Sequence, residues 1–138
     1  MEIVTKSALE TEKFGENLAN SLKDGGVVCL YGELGSGKTT FTRGFVKALN
    51  SKSRVMSPTF ILIREYEGFR KIYHLDLYRL EKSENIKNLG LEEIFGNSEN
   101  IVIIEWPEII REILPKKRTE IYFKYLKDNE REIRWKKI

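Results

Sequence analysis

"VVCLYGELGSGKTTFTRGF", residues 27–45, decides the fold. Val27–Tyr31 is an unbroken apolar run, the pattern of a central parallel strand buried on both faces. Residues 32–39, "GELGSGKT", match G-x-x-x-x-G-K-[ST]. Beyond them Phe41, Phe45, Ala48 and Leu49 recur on one face of a helix. Strand, glycine-rich loop and helix in that order are the context that gives this motif meaning. At average residue usage, a chain this long yields on the order of 0.01 chance matches, so coincidence is a poor explanation. The glycines let the backbone N–H groups of Gly35, Ser36, Gly37 and Lys38 turn inward around a phosphate, with the positive end of the helix behind them. Lys38 then offers a point charge to the β- and γ-phosphates and Thr39 a hydroxyl to Mg²⁺, with Thr40 beside it in the nucleotide-binding set. The expected ligand is a nucleoside triphosphate. On this reading Lys38 sits on the loop with its charge solvated when the site is empty.

A second buried strand is expected at "NIVIIEW", residues 100–106, and it ends in Glu105. A carboxylate there faces the crevice where open α/β sheets bind ligands. It can hold Mg²⁺ or orient the attacking water; strands of this kind usually end in Asp, so both roles stay open. In "YHLDLYRL", residues 73–80, strand alternation puts Ile72, His74, Asp76 and Tyr78 on one face and Tyr73, Leu75 and Leu77 on an apolar one. Asp76 is therefore expected to point away from the packed side, into the Mg²⁺ or catalytic shell, while His74 alone reads as structural. "SPTF", residues 57–60, lies where a switch segment would, with Thr59 placed to reach the metal or the γ-phosphate.

The rest of the chain frames this centre. A short strand at Glu2–Thr5 leads to a helix capped by Ser7 and running to about Lys23, with Glu10 completing a capping box. "FILIREYEGFRKIYHLDLYRL" reads as an antiparallel hairpin around Glu67–Gly68, and "SENIKNLGLEEIFG" as short helices. "PEIIREIL" reads as a helix opening on Pro107, and the tail as a second hairpin around Lys127–Glu130. The expected architecture is one α/β domain over 1–138: a three-layer P-loop NTPase fold with a mixed, largely parallel sheet and β-hairpins.

Composition narrows the class. In 138 residues, 24 Lys and Arg against 21 Asp and Glu leave a net charge of only +3, too weak to argue for nucleic acid. The basic clusters "PKKR" and "RWKK" read mainly as solvated surface charge. No run approaches the ~20 apolar residues of a membrane span. The first residues are acidic and amphipathic, unlike a signal peptide. Cys29, the single cysteine, fits a core thiol in a reducing cytoplasm.

"GELGSGKTTFTRGF", "SPTF", "HLDLYRL", "GLEEIF" and "IEWPE", in this order and spacing, resemble the bacterial TsaE (formerly YjeE) family over nearly the whole chain. The resemblance implies a cytoplasmic ATPase, monomeric when alone, accessory to the TsaB–TsaD complex. That complex makes threonylcarbamoyladenosine at position 37 of tRNAs reading ANN codons, so contact with tRNA would be indirect. Position by position it implies ATP and Mg²⁺ at Lys38 and Thr39, an essential aspartate at Asp76 and a Mg²⁺-associated glutamate at Glu105. It implies further that Trp106 lies beside the nucleotide, and that Ser7 and Arg131 approach it. Glu130 stands where relatives often have Gly, which makes Arg131 the least secure of these.

Two rivals share the motif. A small-molecule P-loop kinase would use the same residues, but 138 residues leave little room for an acceptor pocket and a lid. A GTPase would need N-K-x-D and D-x-x-G, and neither string occurs. Arg43 is expected to turn away from the phosphates and Arg131 to ride on an untethered loop. Hydrolysis by the isolated chain is therefore expected to be slow and partner-dependent.

Overall fold

The computed structural model describes residues 1–49, 63–68, 70–78 and 90–138. The strands are β1 (Glu2–Thr5), β2 (Gly26–Tyr31), β3 (Ile63–Glu67), β4 (Lys71–Asp76), β5 (Ile101–Glu105), β6 (Thr119–Lys127) and β7 (Glu130–Lys137). The helices are α1 (Ala8–Asn20), α2 (Lys38–Ala48) and α3 (Leu91–Gly96), with a 3₁₀ segment at Pro107–Ile113. Among the described residues, seven strands join one mixed sheet in the order β1-β7-β6-β2-β5-β4-β3. Parallel pairing is confined to the central four, β6, β2, β5 and β4, and antiparallel strands complete both sides.

The central strands are apolar because both faces are covered. On one face Phe14 and Leu18 of α1 and Phe41, Phe45 and Val46 of α2 pack onto Val28, Leu30, Ile72, Ile101, Ile103, Ile121 and Ile133. On the other, Leu91, Ile94 and Ile110 close over Cys29, Leu75, Val102 and Ile104. Those are the three layers expected from the chain. The two helices of the first layer approach closely at Gly15 and Gly44. A Cβ on Gly15 would meet the Phe41 carbonyl, and one on Gly44 the Glu12 carbonyl. Each glycine admits the other helix's backbone.

Several expectations change in detail. The first helix stops at Asn20, with Ser21 as its C-cap, instead of reaching Lys23. The capping box is modified: Ser7 Oγ accepts from Glu10 N at 3.1 Å, but Glu10 Oε1 accepts from Lys6 N at 3.2 Å. "PEIIREI" is a 3₁₀ segment broken at Ile110 (φ −116°), whose side chain is drawn into the core. The non-helical Ile110 breaks the hydrogen-bond ladder there, leaving short 3₁₀ pieces on either side. In β4 no face is left to solvent. Ile72 and His74 are as buried as Leu75 and Leu77, and Ile72 lies in the same apolar cluster as the α1 and α2 side chains. The "SPTF" segment, Thr59 included, and the short helices expected before Gly90 lie outside the described residues.

Candidate functional site

The parallel register lines up the predicted chemistry at one edge of the sheet. Leu30, on the last turn of chain before the glycine loop, pairs with Glu105, and Glu105 pairs with Asp76. Two carboxylates thus sit side by side at the C-terminal ends of adjacent strands, where the chain leaves the sheet and a crevice opens.

The loop of residues 32–37 leads into α2, whose N-cap Gly37 has φ 111°, a left-handed conformation that a side chain would strain. Lys38 opens the helix. It is only 4% exposed, and its Nζ donates to the Gly32 carbonyl at 2.6 Å while lying 4.2 Å from the centre of the Trp106 ring. Lys38 is therefore folded back into the loop, and not solvated as expected from the sequence. Burial lowers its pKa, and the charges of Glu105, Asp76, Glu108 and Glu33 oppose that shift. Thr39 and Thr40 follow on the first turn, both half-buried. Ser36 Oγ is buried without a hydrogen-bond partner.

Asp76 is half-buried at the end of β4 and accepts from Tyr78 N at 3.1 Å. Burial raises its pKa and the neighbouring Glu105 adds to this, against that backbone bond, the nearby His74 and the charge of Lys38. Glu105 is 4% exposed and its Oε2 lies 2.6 Å from His74 Nε2. Trp106 then adopts φ 61°, ψ 49°, a strained turn for a bulky residue, and packs against Tyr78 with ring centres 4.9 Å apart. The strain turns the chain sharply out of β5 and sets the indole across Lys38.

Arg131 reaches the same loop from the opposite side. It lies on β7, paired with Thr5, and not on an untethered loop. Its guanidinium donates to the carbonyls of Asp128, Glu130 and Gly35 at 3.1–3.3 Å and covers the Tyr125 ring at 4.7 Å. Its Nε is buried and unpartnered. Ser7 follows β1 at the next junction, with its Oγ committed to capping α1. Arg43 turns away to Glu12 at 3.3 Å. The structure thus gathers Gly35, Ser36, Gly37, Lys38, Thr39, Asp76, Glu105, Trp106 and Arg131 around one loop. The residue sequence reasoning undervalued is His74; its place two residues before Asp76, on the same face of the strand, was the available signal.

The residues fit an anion with a hard cation. A buried ammonium resting on a carbonyl, an orphaned hydroxyl and an orphaned guanidinium N–H ring a glycine loop with open space beside Gly35. No group of three or more His, Cys, Asp or Glu able to hold a metal occurs among the described residues. That donor set suits Mg²⁺ shared with phosphates, which needs only one or two protein carboxylates. No helix among the described residues is long and apolar enough to cross a membrane.

Comparison with known proteins gives the family. Residues 5–133 match the model of the threonylcarbamoyl adenosine biosynthesis protein TsaE. The chain is 42% identical over 125 residues to the tRNA threonylcarbamoyladenosine biosynthesis protein TsaE of Bacillus subtilis, covering 90% of this chain and 77% of that one. It is 36% identical over 134 residues to TsaE of Treponema pallidum, covering 96% and 98%. Among solved structures, YdiB of Bacillus subtilis superposes with a TM-score of 0.81 at 36% identity, over 96% of this chain and 82% of that one. With this sheet order, this loop and these matches, the chain belongs to the TsaE family of tRNA threonylcarbamoyladenosine biosynthesis proteins.

Proposed function

We propose that the chain binds ATP with Mg²⁺ and hydrolyses it in support of threonylcarbamoyl transfer to adenosine 37 of ANN-decoding tRNAs, acting in the cytoplasm with TsaB and TsaD. One observation carries the reading most: Lys38 is held in a loop that offers it only a backbone carbonyl, beside polar atoms of Ser36 and Arg131 that have no partner. Nearby carboxylates and the Trp106 ring offset part of its burial, but its ammonium has one hydrogen-bond acceptor, and a phosphate would supply the rest.

In this reading the loop N–H groups and Lys38 hold the phosphates, and Thr39 holds the metal. Glu105 and Asp76 orient the metal's waters and the attacking water, and Thr59 is a further metal candidate. Trp106 flanks the nucleotide on one side, and Arg131 and the Ser7 junction on the other, with Thr40 nearby. Thr39, with Asp76 and Glu105 beside it, would hold Mg²⁺, and the ion would supply charge neutralisation for phosphoryl transfer. Arg131 already gives its Nη donors to three carbonyls. Turnover by the monomer is therefore slow, and a partner supplies the missing positive charge. Contact with tRNA is through the partners.

The test is calorimetric titration with ATP and GTP, with and without Mg²⁺, followed by turnover alone and with the TsaB–TsaD pair. ATP should bind in preference to GTP, and turnover should rise at least tenfold with the pair. Fast turnover alone, unchanged by the partners, would overturn the partner requirement and favour a free-standing kinase or ATPase.

A further inference from the structure

His74 is the only histidine in the chain, and its side chain is fully buried. Its Nε2 lies 2.6 Å from Glu105 Oε2, a short contact for a nitrogen and a carboxylate. Among the described residues it is the one hydrogen-bond partner of the Glu105 side chain. The ring is fixed in turn. His74 pairs with Arg64 on one side and Ile103 on the other, and lies against the Tyr66 ring at 6.3 Å. Buried Ile72 and Ile103 wall the same layer of the sheet.

The hydrogen-bond network assigns the tautomer. An ionised carboxylate only accepts, so Nε2 carries the hydrogen toward Glu105. Nδ1 is buried without a partner, and Arg64, across the register, has a buried and unpartnered Nε. A bare lone pair at Nδ1 is the cheaper orphan, because a buried unpaired N–H is rarer in proteins than an under-satisfied acceptor. In that arrangement the Nε2–H is given to one Glu105 carboxylate oxygen.

We propose that His74 is a positioning residue: its Nε2–H clamps Glu105 so that the carboxylate presents a fixed edge to the crevice beside Asp76 and Lys38. Without that donor no hydrogen bond among the described residues would fix the Glu105 carboxylate, and ordering it at the moment of metal binding would cost affinity. The clamp sets that orientation beforehand, as groups behind a metal's own ligands do elsewhere, where losing them costs ~10–100-fold in metal affinity or activity. This rests on the Mg²⁺–nucleotide reading of the site.

The lone imidazole makes the test direct. In ¹⁵N-labelled wild-type protein without nucleotide, the ring should show the Nε2–H tautomer, with a downfield, slowly exchanging proton that moves in Glu105→Gln. An Nδ1–H tautomer, or a signal indifferent to Glu105→Gln, overturns the proposal whatever the nucleotide does. In His74→Leu, ATP affinity measured without Mg²⁺ should stay within about twofold, while the Mg²⁺ concentration that half-saturates the complex rises about tenfold. His74→Gln, which restores an N–H donor at similar reach, should recover to within about threefold. A folded His74→Leu with an unchanged Mg²⁺ half-point reduces His74 to a core residue. If that variant does not fold, the wild-type spectrum and His74→Gln decide, and His74→Gln with a tenfold Mg²⁺ defect counts against the clamp. Failure of wild type to bind ATP sinks the nucleotide reading alone, since the spectrum still judges the contact.

Discussion

The sheet buries charge in two places, and the two are built differently. On the face away from α1 and α2, Glu120 accepts from Tyr122 Oη at 2.8 Å, Tyr31 Oη at 3.4 Å and Arg118 Nε at 2.9 Å, with Lys136 Nζ at 3.9 Å. The two tyrosine rings stack at 4.7 Å. At the crevice, by contrast, Lys38 rests on a carbonyl, Ser36 Oγ, His74 Nδ1 and Arg131 Nε have no partner, and Trp106 is held in a left-handed turn. The first network is complete, and adding anything would disturb it. The second leaves several buried polar atoms without a partner, as the proposed nucleotide site requires.

The comparison breaks most visibly at Lys38. Lys38→Met keeps the stem over Trp106 and removes the charge. ATP affinity should fall about 10²-fold or more, from the loss of charge-assisted bonds to phosphate. Thermal stability should hold or rise, because burial already disfavours the ammonium. A variant that binds ATP–Mg²⁺ as tightly as wild type would remove the loop from the site.

Next come the carboxylates. Asp76→Asn and Glu105→Gln should bind ATP within a few-fold of wild type yet turn over roughly 30–100-fold more slowly in the presence of partners. Equal turnover at saturating Mg²⁺ would strike that residue from the chemistry.

The finished network should fail in the opposite way. Glu120→Ala strips Arg118 and two hydroxyls of their acceptor and should cost about 2 kcal/mol of stability, with nucleotide affinity unchanged. Burial would raise the Glu120 pKa, but the bonds from Tyr122 and Arg118 and the charges of Arg118 and Lys136 outweigh it, holding it below 4.5. Its contribution is therefore present above pH 4.5 and lost as pH falls through the lower folded value. Tyr122, pushed up to about 12 first by burial and then by its bond to Glu120, loses its contribution as pH climbs from 10 toward that value. Denaturation midpoints of wild type and Glu120→Gln should converge as pH falls through that lowered value. Parallel curves there would show that the pair carries no linkage. The smallest effect is local. Asp128, at φ 50° in the β6–β7 turn, should gain about 0.5 kcal/mol on replacement by Gly, detectable as a shift in denaturant midpoint.

The fold was legible because the strongest periodic segments are also the most buried. "VVCLY" and "IVII" have no polar face to mislead, and the hairpins are marked by Glu67–Gly68 and Lys127–Glu130. Asp76 and Glu105 were legible as strand-end carboxylates once the glycine loop fixed the direction of the sheet. What stayed hidden depends on cross-strand neighbours. Alternation puts His74 on the face of Asp76, and nothing local says that Tyr66 and Glu105, from neighbouring strands, enclose it. Arg131 looked loose in sequence because its tethers are carbonyls of Gly35 and of its own turn, and backbone acceptors leave no trace in residue type. The close approach at Gly15 and Gly44 was equally invisible, as each glycine answers to a helix that begins elsewhere.

The pairing of β1 with β7 has a consequence in time. Met1 and Trp135 exchange backbone hydrogen bonds at 3.0–3.1 Å, and β1 finds its ladder partner only in residues Arg131–Arg134. During synthesis at ~5–20 residues per second, the first strand waits on the order of ten seconds for the strand that will receive it. The glycine loop, α1 and α2 are made well before that. Arg131 arrives on the same late strand, so the far wall of the crevice and the seam that closes the sheet are completed together. A nascent chain can assemble the glycine loop and its helix early, but the Arg131 side of the crevice waits for β7, the strand that also takes up β1.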